Sequence, residues 1–206
     1  MKSQAHIQLK KFDDELRLKY GRYIAGIDEC GRGSLAGPLV AACVVLNEGQ
    51  VLEGVNDSKK LSEKKREELY DKIITSCVSC GISEISAEDI DNFGIQQANL
   101  NAMVNSSFMA TKHIDELPHV YVIDQGPKNN LNPQLMIPKA DSTSLAVAAA
   151  SIIAKVTHDR ILAKIHEEYP EYDLINNKGY ITAKHKEAIA KYGLQKFHRK
   201  SYQIKC

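Results

Sequence analysis

The 206-residue sequence predicts an α/β fold, a sheet sandwiched by helices, on three observations. Short β-rich apolar runs alternate with longer helix-forming segments. An apolar content of 43% allows one sizeable core. A break over residues 169–179, opening on Tyr169-Pro170 and closing at Gly179, sets off a small basic C-terminal part. The predicted organisation is therefore a main domain over residues 1–170 and a C-terminal helical segment over 171–206.

In order along the chain, residues 5–19 read as a helix, 23–27 as a short buried strand and 38–46 as a second, wholly apolar one. A charged helix over 62–74 precedes a strand near 78–83. Ala98, Ala102, Val104 and Met109 fall near one face of a long helix predicted over 95–115. Residues 119–124 form a β-rich run that ends in Asp124 and a turn, and a short strand is expected near 135–138. The stretch 145–165, with Ala146, Ala148, Ala149 and Ala150, carries strong helix signals. No internal repeat or low-complexity segment stands out.

No apolar run reaches membrane-spanning length, and residues 1–11 lack a secretory hydrophobic segment, so a cytoplasmic protein without membrane association is expected. The five cysteines are an odd number, and Cys77-Val78-Ser79-Cys80 has no second pair; small buried thiols of a reducing compartment are the simpler reading. Basic and acidic residues nearly balance, 27 against 26, which alone says nothing of nucleic acid. From Asn177 onward, however, Lys178, Lys184, Lys186, Lys191, Lys196, Arg199, Lys200 and Lys205 face only Glu187, a net +7 that leaves −6 for the rest. That asymmetry suits a phosphate-tracking surface beside an acidic centre, or else a solvated helix face.

The chemistry concentrates in Gly26-Ile27-Asp28-Glu29-Cys30-Gly31-Arg32-Gly33. Two adjacent acids are followed by a turn with little side-chain bulk and one guanidinium. Neighbouring side chains of a regular strand face opposite sides. Gly31 lets the strand end there, and the change of backbone direction is expected to bring both acids round to one cavity. Gly31 and Gly33 allow main-chain N–H groups near a ligand, and Arg32 offers a fork of donors to a phosphate. A surface turn with a solvated ion pair is the alternative for these residues alone. Asp124 at a strand end and Asp141 ahead of a helix are the further candidates; Asp141 or Ser142 would also serve as an ordinary N-cap. Together Asp28, Glu29, Asp124 and Asp141 make a coherent site for two divalent ions, which points to a nuclease.

Several motifs in order extend this. Gly26 to Pro38, Asp57-Ser58-Lys59-Lys60-Leu61, Ala149 to Thr157, Lys178 to His185 and His198-Arg199 resemble the ribonuclease HII family, the type 2 ribonucleases H, over nearly the whole chain. The departures are Cys30 for the usual alanine, Gln125 after Asp124, and His158 where an arginine is usual. The resemblance implies a ribonuclease H-like mixed β-sheet flanked by helices. It implies an endoribonuclease that cuts the RNA strand of RNA/DNA hybrids, and cuts at ribonucleotides embedded in duplex DNA, leaving 3′-hydroxyl and 5′-phosphate ends. Two Mg²⁺ or Mn²⁺ ions would be held by the four acids, Asp28 and Asp124 bridging or ligating directly and Glu29 and Asp141 holding one ion each. Gly31, Arg32 and Gly33 would read the 2′-hydroxyl, Tyr180 would pack on the deoxyribose, and Ser58 and Lys59 would contact backbone phosphate. Asp159 is the runner-up for a fourth carboxylate.

A monomer is the expected state, and no defensible clamp-binding peptide stands at the C-terminus, so a replication clamp is a partner the sequence does not support. Two other readings remain. A non-catalytic hybrid-binding module is opposed by the presence of all four acids. The type 3 relative carries an extra N-terminal domain, for which the stretch before Gly26 leaves no room.

Overall fold

The computed structural model describes residues 2–124, 126 and 129–203; Gln125 and, in the basic tail, Lys205 lie outside them, as does Cys206. Helix α1 (Lys2–Tyr20) leads into β1 (Ile24–Cys30), which turns back into β2 (Leu39–Leu46). Helix α2 (Glu63–Ser76), strand β3 (Ser79–Ile85) and helices α3 (Ala87–Phe93) and α4 (Ile95–Thr111) follow. Strands β4 (Val120–Ile123) and β5 (Gln134–Met136) lead to the long helix α5 (Leu145–Glu168), then to α6 (Leu174–Asn177) and α7 (Ala183–Tyr192). The sheet order is β3-β2-β1-β4-β5. Strands β1, β2 and β3 pair antiparallel, whereas β4 runs parallel to β1 and β5 parallel to β4. The mixed sheet flanked by helices is the one expected.

Alternation along the strands builds two cores. Ile24, Val40, Ala42, Val44 and Leu46 pack with α5, while Ala25, Ile27, Leu39, Ala41, Cys43 and Val45 pack with α4. Strand β2 is buried along its whole length, which is why it reads as an unbroken apolar run. Gly26 marks where α5 crosses β1: a Cβ there would stand 2.1 Å from the backbone carbonyl carbon of Ala146. A third cluster joins Tyr172, Leu174, Ala188 and Phe197 to Leu162 of α5 and to Ala36. The C-terminal helices thus share a core with α5 and with the loop after β1.

Two local readings are corrected. Helix α3 was not expected; Ser86 caps it, accepting from Asp89 N, and Gly94 ends it. Neither Asp141 nor Ser142 caps α5. The chain first makes a 3-10 turn over Ala140–Ser142, and Ser144 is the cap, accepting from Val147 N. The wholly buried Asp13 of α1 adds a second acceptor, taking the Ala146 N–H at 2.9 Å. Ser144→Ala should cost about 1–2 kcal/mol by orphaning that helix end. In a chain of this size that lowers the melting temperature by roughly 2–8 °C in thermal denaturation. An unchanged melting temperature would mean that Asp13 caps the helix unaided. Cys30, Cys43, Cys77 and Cys80 are all free thiols, and burial pushes Cys30 and Cys80 up to about 12, where no thiolate forms.

Candidate active site

Strand β1 does not stop before the acids. It runs through Asp28, Glu29 and Cys30, paired with Ala42, Ala41 and Val40. The pairing with β2 outweighs the poor strand propensity of Asp and Glu. The turn at Gly31, with φ of 88°, therefore begins after both acids. By alternation, Asp28 lies on the α5 side with Gly26, and Glu29 on the α4 side with Ile27. The two acids leave the strand on opposite faces, yet Glu29 and Asp124 both act on Asp28 and Asp124 acts on Glu29 as well.

Parallel pairing brings up the third acid. Ile27 is in register with Ile123, and Asp124 N donates to Ile27 O at 3.4 Å. Asp28 and Asp124 therefore follow one another on neighbouring parallel strand ends and on the same face. The 3-10 turn before α5 delivers the fourth: Ala140 N donates to Asp124 Oδ1 at 3.3 Å, which seats Asp141 beside it.

The electrostatics record this proximity. Burial, first, and then Glu29, Asp124 and Asp141 raise Asp28 well above the usual carboxylate range. Glu29 is pushed up to about 7, chiefly by burial, with Arg32 opposing and Asp124 adding. Asp28 Oδ1 accepts from Glu29 N at 2.9 Å, and Glu29 Oε2 is buried with no hydrogen-bond partner among the described residues. Lys59 reaches in from outside, its Nζ 3.1 Å from Asp141 Oδ2.

Among the described residues no three carboxylate, imidazole or thiol side chains are drawn tightly enough to close on one ion as they stand. The donor set nevertheless fits a hard divalent ion: carboxylate oxygens alone, one of them buried and orphaned.

The expected sugar-reading residues are brought together. A Cβ on Gly33 would lie 3.7 Å from Tyr180 Cε1, so the half-exposed tyrosine ring stands over the turn with room for little more than a glycine between them. A Cβ on Gly31 would lie 2.6 Å from His158 Nε2, so the buried imidazole of this departure fills the space under the turn. Burial holds His158 below its ordinary value. Ser58 is buried at the start of a 3-10 turn, its carbonyl bonded by Arg66 Nη1, while Lys59 is exposed. Asp159 is tied to Lys155 at 2.7 Å, with Arg66 and Lys178 at 4.0 Å, an ion-pair hub apart from the four acids.

Sequence reasoning misjudged Arg199 as part of the basic surface, and it passed over Ser34, Asp91 and Tyr202. Arg199 is wholly buried against the turn. The signal available was the His198-Arg199 pair, which the charge count absorbed.

This sequence and architecture are matched by known proteins. The family model described as Ribonuclease HII matches residues 25–205. A protein named ribonuclease HII from Bacillus cereus (strain G9842) is 44% identical over 195 residues, 95% of this chain and 74% of that one. The crystal structure of ribonuclease H2 from Pyrococcus horikoshii OT3 aligns with a TM-score of 0.73 at 26% identity, over 88% of this chain and 94% of the other. The ribonuclease HII of a PCNA complex from Archaeoglobus fulgidus aligns with a TM-score of 0.72 at 28% identity, over 89% and 96%. With strand-end acids, a Gly-Arg-Gly turn and a family match over nearly its whole length, the chain belongs to the ribonuclease HII family, nucleases of the hydrolase class.

Proposed function

We propose that this protein hydrolyses the RNA strand of RNA/DNA hybrids and cuts 5′ of ribonucleotides embedded in duplex DNA, leaving 3′-hydroxyl and 5′-phosphate ends. The observation that carries the reading is the Gly31–Gly33 turn, which directly follows the buried Asp28 and Glu29 and is approached by the Tyr180 ring. An unencumbered turn lets backbone groups reach a 2′-hydroxyl, the group that tells RNA from DNA, without reading the base.

Asp28, Glu29, Asp124 and Asp141 are the proposed metal ligands. When bound, two Mg²⁺ or Mn²⁺ ions would supply an activated water and stabilise the leaving oxygen. Amides of Gly31, Arg32 and Gly33 meet the 2′-hydroxyl, the Arg32 guanidinium holds a phosphate, and Tyr180 packs on the deoxyribose that follows. Lys59 contacts phosphate, with Ser58 shaping its turn. Residues 1–170 supply the catalytic centre and the basic segment over 171–206 contributes to binding, in a monomer. A replication clamp as partner rests on the archaeal complex alone; co-elution with a cognate clamp checks it.

The test is cleavage mapping on a duplex with one embedded ribonucleotide, with Mg²⁺, Mn²⁺ or EDTA. A single cut on the 5′ side, dependent on metal, with 3′-hydroxyl and 5′-phosphate ends, is expected. Binding without cleavage in either metal would favour a non-catalytic module. Affinity should fall steeply as salt rises, because the basic segment releases counterions from phosphate.

A further inference from the structure

Residues 197–202 form a hook that passes along the turn over residues 31–38. Gly37 N donates to Phe197 O at 2.9 Å and Arg199 N to Leu35 O at 2.8 Å, around a β-bridge between Ala36 and His198. The same turn is held by the Tyr180 loop: Leu35 N and Ala36 N both donate to Gly179 O, and Ser34 Oγ donates to Lys178 O. Helix α3 anchors the hook's end, where the Asp91 carboxylate accepts from the N–H groups of Lys200 and Ser201 and from the Ser201 hydroxyl.

At the centre lies Arg199, wholly buried and without an ion-pair partner among the described residues. Its guanidinium donates to Gly37 O at 3.2 and 3.0 Å, to Pro38 O at 3.0 Å and to Arg32 O at 3.0 Å. The Tyr202 hydroxyl also donates to Arg32 O, at 2.7 Å. Burying a guanidinium without an anion is costly, and only a full set of acceptors offsets it. The return is one peptide carbonyl, that of Arg32, gripped by two donors. In a planar trans peptide the C=O and the next N–H point in opposite directions. Holding Arg32 O against the hook therefore turns the Gly33 N–H away from it. The N–H groups of Arg32 and Gly33 have no hydrogen-bond partner among the described residues.

We propose that Arg199 and Tyr202 are positioning residues for sugar recognition: they lock the Arg32–Gly33 peptide so that the Gly33 N–H stands as a fixed donor for the ribonucleotide's 2′-hydroxyl. This deepens the reading of the turn as the sugar sensor and rests on it. A peptide free to flip would offer a carbonyl as often as an N–H, and ordering it would be charged to binding. A locked peptide is already in the bound geometry. Asp91 acts one step further out, by holding the segment that carries Tyr202.

The experiment uses Tyr202→Phe, which removes one hydroxyl and keeps the ring, and Asp91→Ala, which loosens the hook from α3. In Mg²⁺, kcat/KM on a duplex with one embedded ribonucleotide should fall about five- to tenfold in Tyr202→Phe, the loss of roughly one hydrogen bond. Affinity for the all-DNA duplex should be unchanged. Wild-type cleavage by the variant, or equal loss on both duplexes, would overturn the proposal. Backbone NMR of the free protein separates it from the reading it rests on. The Gly33 order parameter should drop from the rigid range near ~0.85 toward ~0.6 in both variants. If wild type does not distinguish the two duplexes, the sugar-sensor reading fails by itself. The lock is then judged by the Gly33 order parameter, and an unaltered value in both variants refutes it.

Discussion

Asp28→Asn is expected to reduce cleavage of a ribonucleotide-containing duplex by about a thousandfold or more while raising the melting temperature of the protein in EDTA. The two effects have one cause. Asp28 is buried against Glu29, Asp124 and Asp141, and burial, before the three charges, lifts it well above the usual carboxylate range. Glu29 beside it is raised to about 7 from 4.5. A carboxyl whose folded-state value is raised keeps its proton in the fold where the unfolded chain has already released it. Stability then falls as pH rises, for Glu29 across the window from 4.5 to about 7.

Burial and the neighbouring carboxylates oppose a charge on Asp28, and an amide at position 28 removes that cost. Each kcal/mol recovered raises the melting temperature by roughly 2–4 °C in a chain of this length. By the same logic Mg²⁺ should stabilise wild type more at about pH 8 than at about pH 5.5, and should stabilise Asp28→Asn less. Scanning fluorimetry with EDTA and with Mg²⁺ measures all of this. A variant that melts below wild type in EDTA would mean that the bond from Glu29 N to Asp28 Oδ1 outweighs the repulsion.

Gly26→Ala should be a severely damaging single-methyl change that bears directly on the site. Its Cβ would stand 2.1 Å from the Ala146 carbonyl carbon and 2.2 Å from Val147 N, backbone atoms that no rotamer change can move aside. Helix α5 must lift from β1 at its first turn, and a strained core of this kind costs about 3 kcal/mol or more. The melting temperature should drop by roughly 6–12 °C. Activity should fall further than stability alone explains, because the displaced helix end carries the turn that seats Asp141 near Asp28. Circular dichroism melts together with cleavage rates measured well below the melting point test this. Wild-type rates in a variant with a lowered melting temperature would show that the seating of Asp141 tolerates the shift.

Particular residues show which parts of the site were readable beforehand. Asp28, Glu29, Asp124 and Asp141 were legible because apolar runs and helix signals bracket them, and residue type at an element's end survives small errors of boundary. Where β1 ends was not legible: acids weaken a strand locally, and pairing with β2 carried it three residues beyond Ile27. The cap of α5 was misassigned because an intervening 3-10 turn and an acceptor from α1 are both invisible at short range. Arg199 was counted as surface charge, since composition does not say which way a side chain points.

The linear order of residues was sufficient for the family and the alternation of strands and helices, and it nominated the four acids, because these depend on short-range pattern and on motifs whose spacing is local. Convergence was a matter of the folded chain. Parallel pairing of β1 with β4 put Asp124 next to Asp28, the turn before α5 seated Asp141, and the C-terminal hook took hold of a peptide some 170 positions earlier. Those relations are contacts between distant segments, created when two faces of one sheet bury their apolar side chains. No window along the sequence contains both partners.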